Sequence, residues 1–313
     1  MGPEAVQTRS PLHVDKVGHG PPLVLLHGWA MHGGAFAPLV ERLSPRFTLH
    51  LVDLPGHGYS RDSGVPLRLD ACVDAVCDVV PRAPWCGWSL GGLVALHAAA
   101  TRPDDVPALA MLCASPRFVK GDDWKHGVSA EVFRSFADGL RNDYRGTLQL
   151  FIALEAFGSD HARDDIRSLR GELFARGEPS AEALAVGLEL LETSDLRGAL
   201  PTLSAPSLWV AGHRDRLVDP RAMQAAAALA PNASVHVVEH AGHAPFLTHA
   251  DEVAGLLADF FACHSRAAFD SRMAVQRGNR SSTDLVSVHP ASLSFEHGQQ
   301  LDPGLRRDDE QKR

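Results

Sequence analysis

Gly87-Trp88-Ser89-Leu90-Gly91-Gly92 decides the reading of this chain. It follows the apolar Ala83-Pro84-Trp85-Cys86 and opens a stretch rich in Leu, Val and Ala that has the texture of a helix. A serine flanked by glycines at a strand-to-helix junction sits on a sharp turn with strained backbone. Only glycine is tolerated beside it, and its hydroxyl is presented at the top of a sheet, next to the N-terminus of the following helix. The pentapeptide alone occurs by chance in unrelated chains. Its weight here depends on partners elsewhere in the sequence.

Outward from this turn, strand and helix patterns alternate. Leu12 to Val17 reads as an edge strand, and Leu23 to Leu26 as a buried parallel strand ending in His27-Gly28. Phe36 to Leu43 has helical spacing, Phe47 to Val52 is a strand, Leu67 to Val80 a helix, Leu90 to Ala100 a helix and Val106 to Leu112 a strand. From Pro116 to Leu200 the pattern is helical, rich in arginine and without apolar strand runs. Strand texture returns at Ser207 to Ala211 and Ser234 to Glu239, with helices at Pro220 to Leu229 and Asp251 to Cys263. The expected class is α/β: a doubly wound, mostly parallel sheet with a helical cap inserted after the sixth strand. Residues 1–115 and 201–264 would form the core, 116–200 the cap, and 265–313, polar and aperiodic, a disordered tail.

The totals narrow the function. The 313 residues are 45% apolar, enough for a sizeable core, and carry a net charge of -8, which argues against nucleic acid as a partner. No apolar run of about 18 residues suggests a membrane span, and Met1 to Ser10 lacks a signal-peptide core. A cytoplasmic protein is expected. The five cysteines, Cys72, Cys77, Cys86, Cys113 and Cys263, have no Cys-x-x-Cys pair and read as reduced, small apolar residues. The 17 histidines include no His-Glu-x-x-His run, so no metal is expected.

A serine hydroxyl needs a base within hydrogen-bond reach, and the base needs an orienting carboxylate. Asp215 follows the strand Leu208-Trp209-Val210-Ala211 and the turn Gly212-His213-Arg214, at the end of a strand where chemistry sits in open α/β sheets. Its neighbour Asp219 precedes Pro220 and reads as a helix start. His243, in Ala241-Gly242-His243-Ala244-Pro245-Phe246, is the favoured base. His240 is its main competitor, and His249 reads as the start of the last helix. Two backbone N–H groups should face the developing oxyanion: Leu90, just after the serine, and Trp29, in the loop after His27-Gly28. His27, Asp53 and His57 read as structural residues of turns near the site.

Taken together, these motifs resemble the α/β-hydrolase superfamily. The likeness runs from about Leu12 to Cys263 through His-Gly, Asp-x-Pro-Gly-x-Gly-x-Ser, Gly-x-Ser-x-Gly-Gly, Gly-x-x-Asp and Gly-His. A narrower resemblance, carried by Leu26-His27-Gly28-Trp29-Ala30-Met31, Phe47 to Gly56, Gly87 to Ala95, Gly187 to Leu191, Asp195-Leu196-Arg197 and His243 to Phe246, is to the biotin-synthesis carboxylesterases. Those enzymes hydrolyse the methyl ester of pimeloyl-acyl carrier protein. The resemblance implies a Ser89, Asp215, His243 triad and no cofactor. It also implies substrate contacts from Trp29, Ser89, Leu90, His243 and the segment Phe151-Ile152-Ala153-Leu154-Glu155. Where the family carries an amide, this chain has Glu155.

The resemblance further implies an acyl carrier protein as partner. An acidic carrier docking on an acidic enzyme needs a local basic patch. The cap supplies Arg141, Arg145, Arg163, Arg167 and Arg170, the last three spaced to share a helix face. Arg163 and Arg167 match basic positions of the family, Arg145 lies one residue from another, and Leu150 replaces a further arginine. Docking residues would be Arg145, Arg163, Arg167 and Arg170; alternatively the face is a solvated one paired with Asp160, Asp164 and Asp165. The protein is expected to be a monomer. Two other readings stand beside this one: a carboxylesterase, lactonase or thioesterase for free small molecules, and a hydrolase-fold receptor that binds without turnover.

Overall fold

A computed structural model describes residues 12–157 and 159–264 of the chain. Seven strands form one sheet: β1 (Val14–Gly18), β2 (Pro22–Leu26), β3 (Thr48–Val52), β4 (Trp85–Trp88), β5 (Leu109–Leu112), β6 (Ser207–Gly212) and β7 (Ala233–Val238), in the order β1-β3-β2-β4-β5-β6-β7. β1 runs antiparallel to β3, and every other pairing is parallel. The middle strands are apolar throughout because a parallel sheet is covered on both faces; β4, β5 and β6 are wholly buried. The edge strand β7 keeps exposed residues at Ser234 and Val235.

Helices α1 (Ala37–Leu43), α2 (Leu69–Val79) and α3 (Leu90–Thr101) connect the first strands. α3 is buried without a break from Leu90 to Leu96, as befits a helix with no polar face at its start. Between β5 and β6 lie four helices: α4 (Ala130–Asn142), α5 (Tyr144–Glu155), α6 (Ala162–Leu173) and α7 (Ala181–Thr193). Their starts carry side-chain caps from Ser129, Asp143 and Ser180, except at α6. α8 (Pro220–Ala227), α9 (Pro245–Thr248) and a last helix, α10, over residues 250–264 complete the described chain.

The helical insertion therefore follows the fifth strand and not the expected sixth. A single antiparallel strand, β1, closes the β3 edge, where a count of six would need a second one among the described residues. Other boundaries moved by one to three residues, the largest shift being the start of β5 from Val106 to Leu109, since helix ends fray and strand ends follow their partners. The expected tail, 265–313, lies outside the described residues, as does Met1 to Ser10. Cys72, Cys86 and Cys113 are buried free thiols, Cys77 is half-buried and Cys263 exposed. Among the described residues no helix is long and apolar enough to cross a membrane.

The chain order reverses between β2 and β4, which are neighbours although β3 separates them in sequence. At such a switch point the loops beyond the strand ends diverge and leave a crevice. Leu26 pairs with Gly87 across it. The loop starting at His27 and the turn at Ser89 are thus placed side by side by topology alone.

Candidate active site

Ser89 has φ 53 and ψ -117, a conformation that costs a non-glycine residue of order 1–3 kcal/mol and persists only where the surroundings enforce it. The surroundings are visible in its flanking glycines. A Cβ on Gly87 would lie 2.3 Å from the Gly91 carbonyl oxygen, one on Gly91 2.3 Å from the Leu26 oxygen, and one on Gly92 2.3 Å from Ala114 Cβ. Strand, turn and helix are packed backbone to backbone, so the turn cannot relax. Ser89 is only 2% exposed.

His243 and Asp215 meet as expected. His243 Nδ1 is 2.7 Å from Asp215 Oδ2, with both side chains fully buried. Asp215 Oδ1 accepts the N–H groups of Leu217 at 2.8 Å and Val218 at 2.9 Å, which fixes the carboxylate plane. With the Nδ1 proton directed at a carboxylate, Nε2 carries the lone pair of a base. Nε2 is buried and has no hydrogen-bond partner among the described residues. Ser89 and His243 share no direct hydrogen bond. They share a scaffold instead: the indole of Trp88, one residue before the serine, donates to the His243 carbonyl at 2.9 Å. The base loop also packs tightly on β6, where a Cβ on Gly212 would sit 2.0 Å from the Gly242 oxygen.

Leu90 and Trp29, the two expected oxyanion donors, flank the Ser89 turn. Leu90 opens α3, where the first N–H groups have no partner within the helix and the dipole favours negative charge. Trp29 lies in the neighbouring loop. Neither backbone N–H donates a hydrogen bond to any described residue. The loop is folded onto Ser89: a Cβ on Gly28 would be 3.2 Å from Ser89 Cβ.

The competitors are placed elsewhere. His240 is exposed and paired with Asp160 at 3.0 Å. His249 lies between α9 and α10, its ring 5.8 Å from that of His161. Asp219 caps α8 by accepting from Arg221 N–H. His27 is a brace, with Nδ1 2.8 Å from the Gly28 carbonyl and Nε2 accepting from Leu54 N–H at 2.9 Å. His57 and Asp53 are also buried structural groups; Asp53 accepts from Gly33 and Tyr59 N–H and from Arg176.

From the insertion, the Phe151 ring meets the Trp29 indole edge to face at 4.5 Å. Ile152 is buried, and Ala153 and Leu154 are half-buried. The Glu155 carbonyl accepts the His243 N–H at 3.1 Å. Glu155 itself is 1% exposed and neither carboxyl oxygen has a partner among the described residues. Burial, and then the charge of Asp215, pushes its carboxyl well above the ordinary carboxylate range. Cys113 escaped the sequence reading. Its thiol and ligand atoms of Asp215 and His243 all lie within 4.8 Å of one another, and it has φ 44. Burial first, and Asp215 next, pushes this thiol well above its ordinary value, so it is a neutral neighbour of the pair. Only its place just beyond β5 could have signalled this.

A family model for the alpha/beta hydrolase fold matches residues 21–250. The pimeloyl-[acyl-carrier protein] methyl ester esterase of Stenotrophomonas maltophilia is 60% identical over 256 residues, covering 82% of this chain and 98% of that protein. The enzyme of the same name from Xanthomonas campestris is 61% identical over 251 residues, 80% of this chain and 99% of its own. The chain belongs to this esterase family. Among solved structures, an esterase from Exiguobacterium antarcticum superposes with a TM-score of 0.73 at 21% identity, over 80% of this chain and 95% of that one. An enol-lactonase from Burkholderia xenovorans gives 0.71 at 23% identity, over 80% and 96%. These two likenesses speak to the fold.

Against the family pattern, the arginines of the insertion divide. Arg145 is bound to Glu178 and Arg167 pairs with Asp164 at 3.1 Å. Arg163 and Arg170 are exposed on α6 and make no ion pair among the described residues. Asp165, expected on the same solvated face, is buried.

Proposed function

We propose that this protein is a serine carboxylesterase that removes the methyl group from the ester of pimeloyl-acyl carrier protein, with Ser89, His243 and Asp215 as its triad. The observation that carries the chemistry is the buried His243–Asp215 pair, whose remaining ring nitrogen has no partner among the described residues and whose His243 carbonyl is held by Trp88, next to the strained Ser89 turn. The substrate reading is supported by 60% identity, over 82% of this chain and 98% of the relative, with an enzyme named for it.

In this reading His243 Nε2 takes the hydroxyl proton as Ser89 attacks the ester carbonyl. Asp215 holds the imidazole in the tautomer that leaves Nε2 free, and stabilises the imidazolium. The N–H groups of Leu90 and Trp29 stabilise the oxyanion. The imidazolium returns the proton to the departing methoxide, and methanol leaves. Water, deprotonated by the same nitrogen, then cleaves the acyl-enzyme to free the carboxylate and Ser89. Residues 116–200 act as a cap over this chemistry, with Phe151 against Trp29 and the Glu155 carbonyl on the His243 N–H. Arg163 and Arg170, with Arg167 and Arg145 alongside, receive the carrier protein.

The test is steady-state hydrolysis of methyl pimeloyl-acyl carrier protein beside a free short-chain methyl ester, with Ser89→Ala as the blank. Strong preference for the carrier-linked ester is expected. Equal turnover of the free ester would reduce the activity to that of a general carboxylesterase, and activity retained by Ser89→Ala would remove the triad.

A further inference from the structure

The oxyanion loop is held at two ends by different parts of the chain. Its front is fixed by the core: His27 ties the Gly28 carbonyl to the Leu54 N–H through its two ring nitrogens. Its back is closed by a turn in which the Met31 N–H donates to the Gly28 carbonyl at 3.3 Å. Ala30, directly after Trp29, has φ 65, a left-handed conformation that alanine adopts only under constraint. No backbone hydrogen bond of Trp29 N–H holds the residue in place.

Beyond that turn, Trp29 is held by its own side chain, and this grip comes from the insertion. The indole is fully buried and its one donor, Nε1–H, is 2.8 Å from the Leu184 carbonyl on α7. One turn further along the same helix stands Gly187. A Cβ there would be 2.6 Å from Trp29 Cδ1 and 3.0 Å from Nε1. Glycine in the middle of a helix costs about 1 kcal/mol against alanine, so a helix of this kind gains nothing from Gly187 on its own account. What the bare Cα provides is close approach of α7 to the indole. Phe151 on α5 closes the ring's other contact at 4.5 Å.

We propose that α7 positions the oxyanion donor: the Leu184 carbonyl and the bare Cα of Gly187 clasp the Trp29 indole, and through it they aim the Trp29 N–H at the reacting carbonyl. Leu184 and Gly187 are positioning residues that touch no reacting atom. The insertion thereby sets the geometry of the oxyanion hole, as well as covering the site. The inference rests on the reading of Trp29 as an oxyanion donor.

The variants are Gly187→Ala, which thrusts a methyl against the indole, and Trp29→Phe, which keeps an aromatic ring but removes Nε1–H. The substrate is a free short-chain ester, which needs no carrier docking. Each variant is expected to lose about 10–100-fold in kcat with KM little changed, a part of the loss seen when an oxyanion donor is removed outright. Affinity for a trifluoromethyl ketone, whose adduct with the serine carries an oxyanion, should fall in parallel. The double variant should lose less than the product of the single losses, because both act through one contact. A role confined to helix stability predicts the opposite for Gly187→Ala: a higher Tm and unchanged kcat. If both variants fold and keep wild-type kcat and ketone affinity, the positioning role is wrong. Failure of the underlying reading shows separately, as absent ester hydrolysis in the wild type or hydrolysis persisting in Ser89→Ala.

Discussion

The main-chain N–H of His243 donates to the main-chain carbonyl of Glu155 at 3.1 Å, so the loop carrying the candidate base hangs from the end of an insertion helix. The side chain of the same Glu155 is buried without a partner among the described residues, close enough to Asp215 to feel its charge. In the unfolded chain this carboxyl titrates at its ordinary value of 4.5, whereas folding keeps the proton on well above that. Above pH 4.5 the unfolded state therefore binds fewer protons, and the group lowers stability progressively as pH rises. Glu155→Gln keeps the shape and abolishes the ionisation. Its Tm should match the wild type near pH 4 and exceed it by several degrees at about pH 8, on a scale of roughly 2–4 °C per kcal/mol. Thermal melts across that range decide it; equal melting at about pH 8 would mean that the carboxyl is not held neutral.

His57 has the opposite sign. Burial pushes its imidazole down from 6.5 to about 4, and its Nε2 has no partner among the described residues. The folded protein keeps it neutral while the unfolded chain takes up a proton below pH 6.5, so stability is lost as pH falls from 6.5 to about 4. His57→Phe removes that proton uptake. The acid limb of unfolding free energy should become shallower by up to ~1.4 kcal/mol per pH unit, read from urea titrations at several pH values. It should not vanish, because His27 is pushed down by burial and by His57 in the same way. An unchanged limb would put the acid sensitivity elsewhere.

The candidate triad was legible because each of its members follows a strand of the sheet: Ser89 after β4, Asp215 after β6, His243 after β7. Strand order in the sheet then follows from parallel pairing and crossover handedness. What stayed hidden depends on contacts between segments far apart in the chain. Cys113 looks ordinary until β5 brings it beside Asp215, and Glu155, marked by the resemblance as a substrate contact, gave no sign that α5 would bring it near Asp215. Arg176, between α6 and α7, reaches back to Asp53 at 3.2 Å and Asp15 at 2.5 Å, and ties the insertion to the β3 edge. No local pattern encodes a pair 123 residues apart. Gly187 likewise reads as a tolerated helix glycine until the Trp29 indole is seen against it.

Asp215 uses its two oxygens for different tasks, which makes a clean substitution available. Oδ1 holds two backbone N–H groups and Oδ2 faces His243 Nδ1. Asp215→Asn can keep the backbone bonds through its oxygen and turn its amide N–H₂ toward Nδ1. That moves the ring proton to Nε2 and removes the base. Turnover should fall about 10³–10⁴-fold, the loss that follows when a triad histidine is held in the wrong tautomer. Melting should change little. Retention of most activity on a short ester would show that orientation of His243 does not depend on the carboxylate.

The arginines of α6 differ in what they can offer a carrier protein. Arg163 and Arg170 are exposed without an ion pair among the described residues, whereas Arg167 is engaged by Asp164 and Arg145 by Glu178. Replacing an engaged arginine breaks an exposed pair worth little and removes a charge already half neutralised. Replacing an unengaged one removes positive potential directly from the face that would meet an acidic partner, in a protein of net charge -8. Arg163→Glu and Arg170→Glu should therefore raise KM for methyl pimeloyl-acyl carrier protein about tenfold each, more than Arg145→Glu or Arg167→Glu, and leave hydrolysis of a free short ester unchanged. Because the effect works at the surface, it should shrink as salt rises and screening sets in within about 10 Å at 0.1 M. Steady-state kinetics on both substrates at low and high salt distinguishes the cases. Equal losses on the free ester would mean that α6 acts on the fold or the site and not on docking.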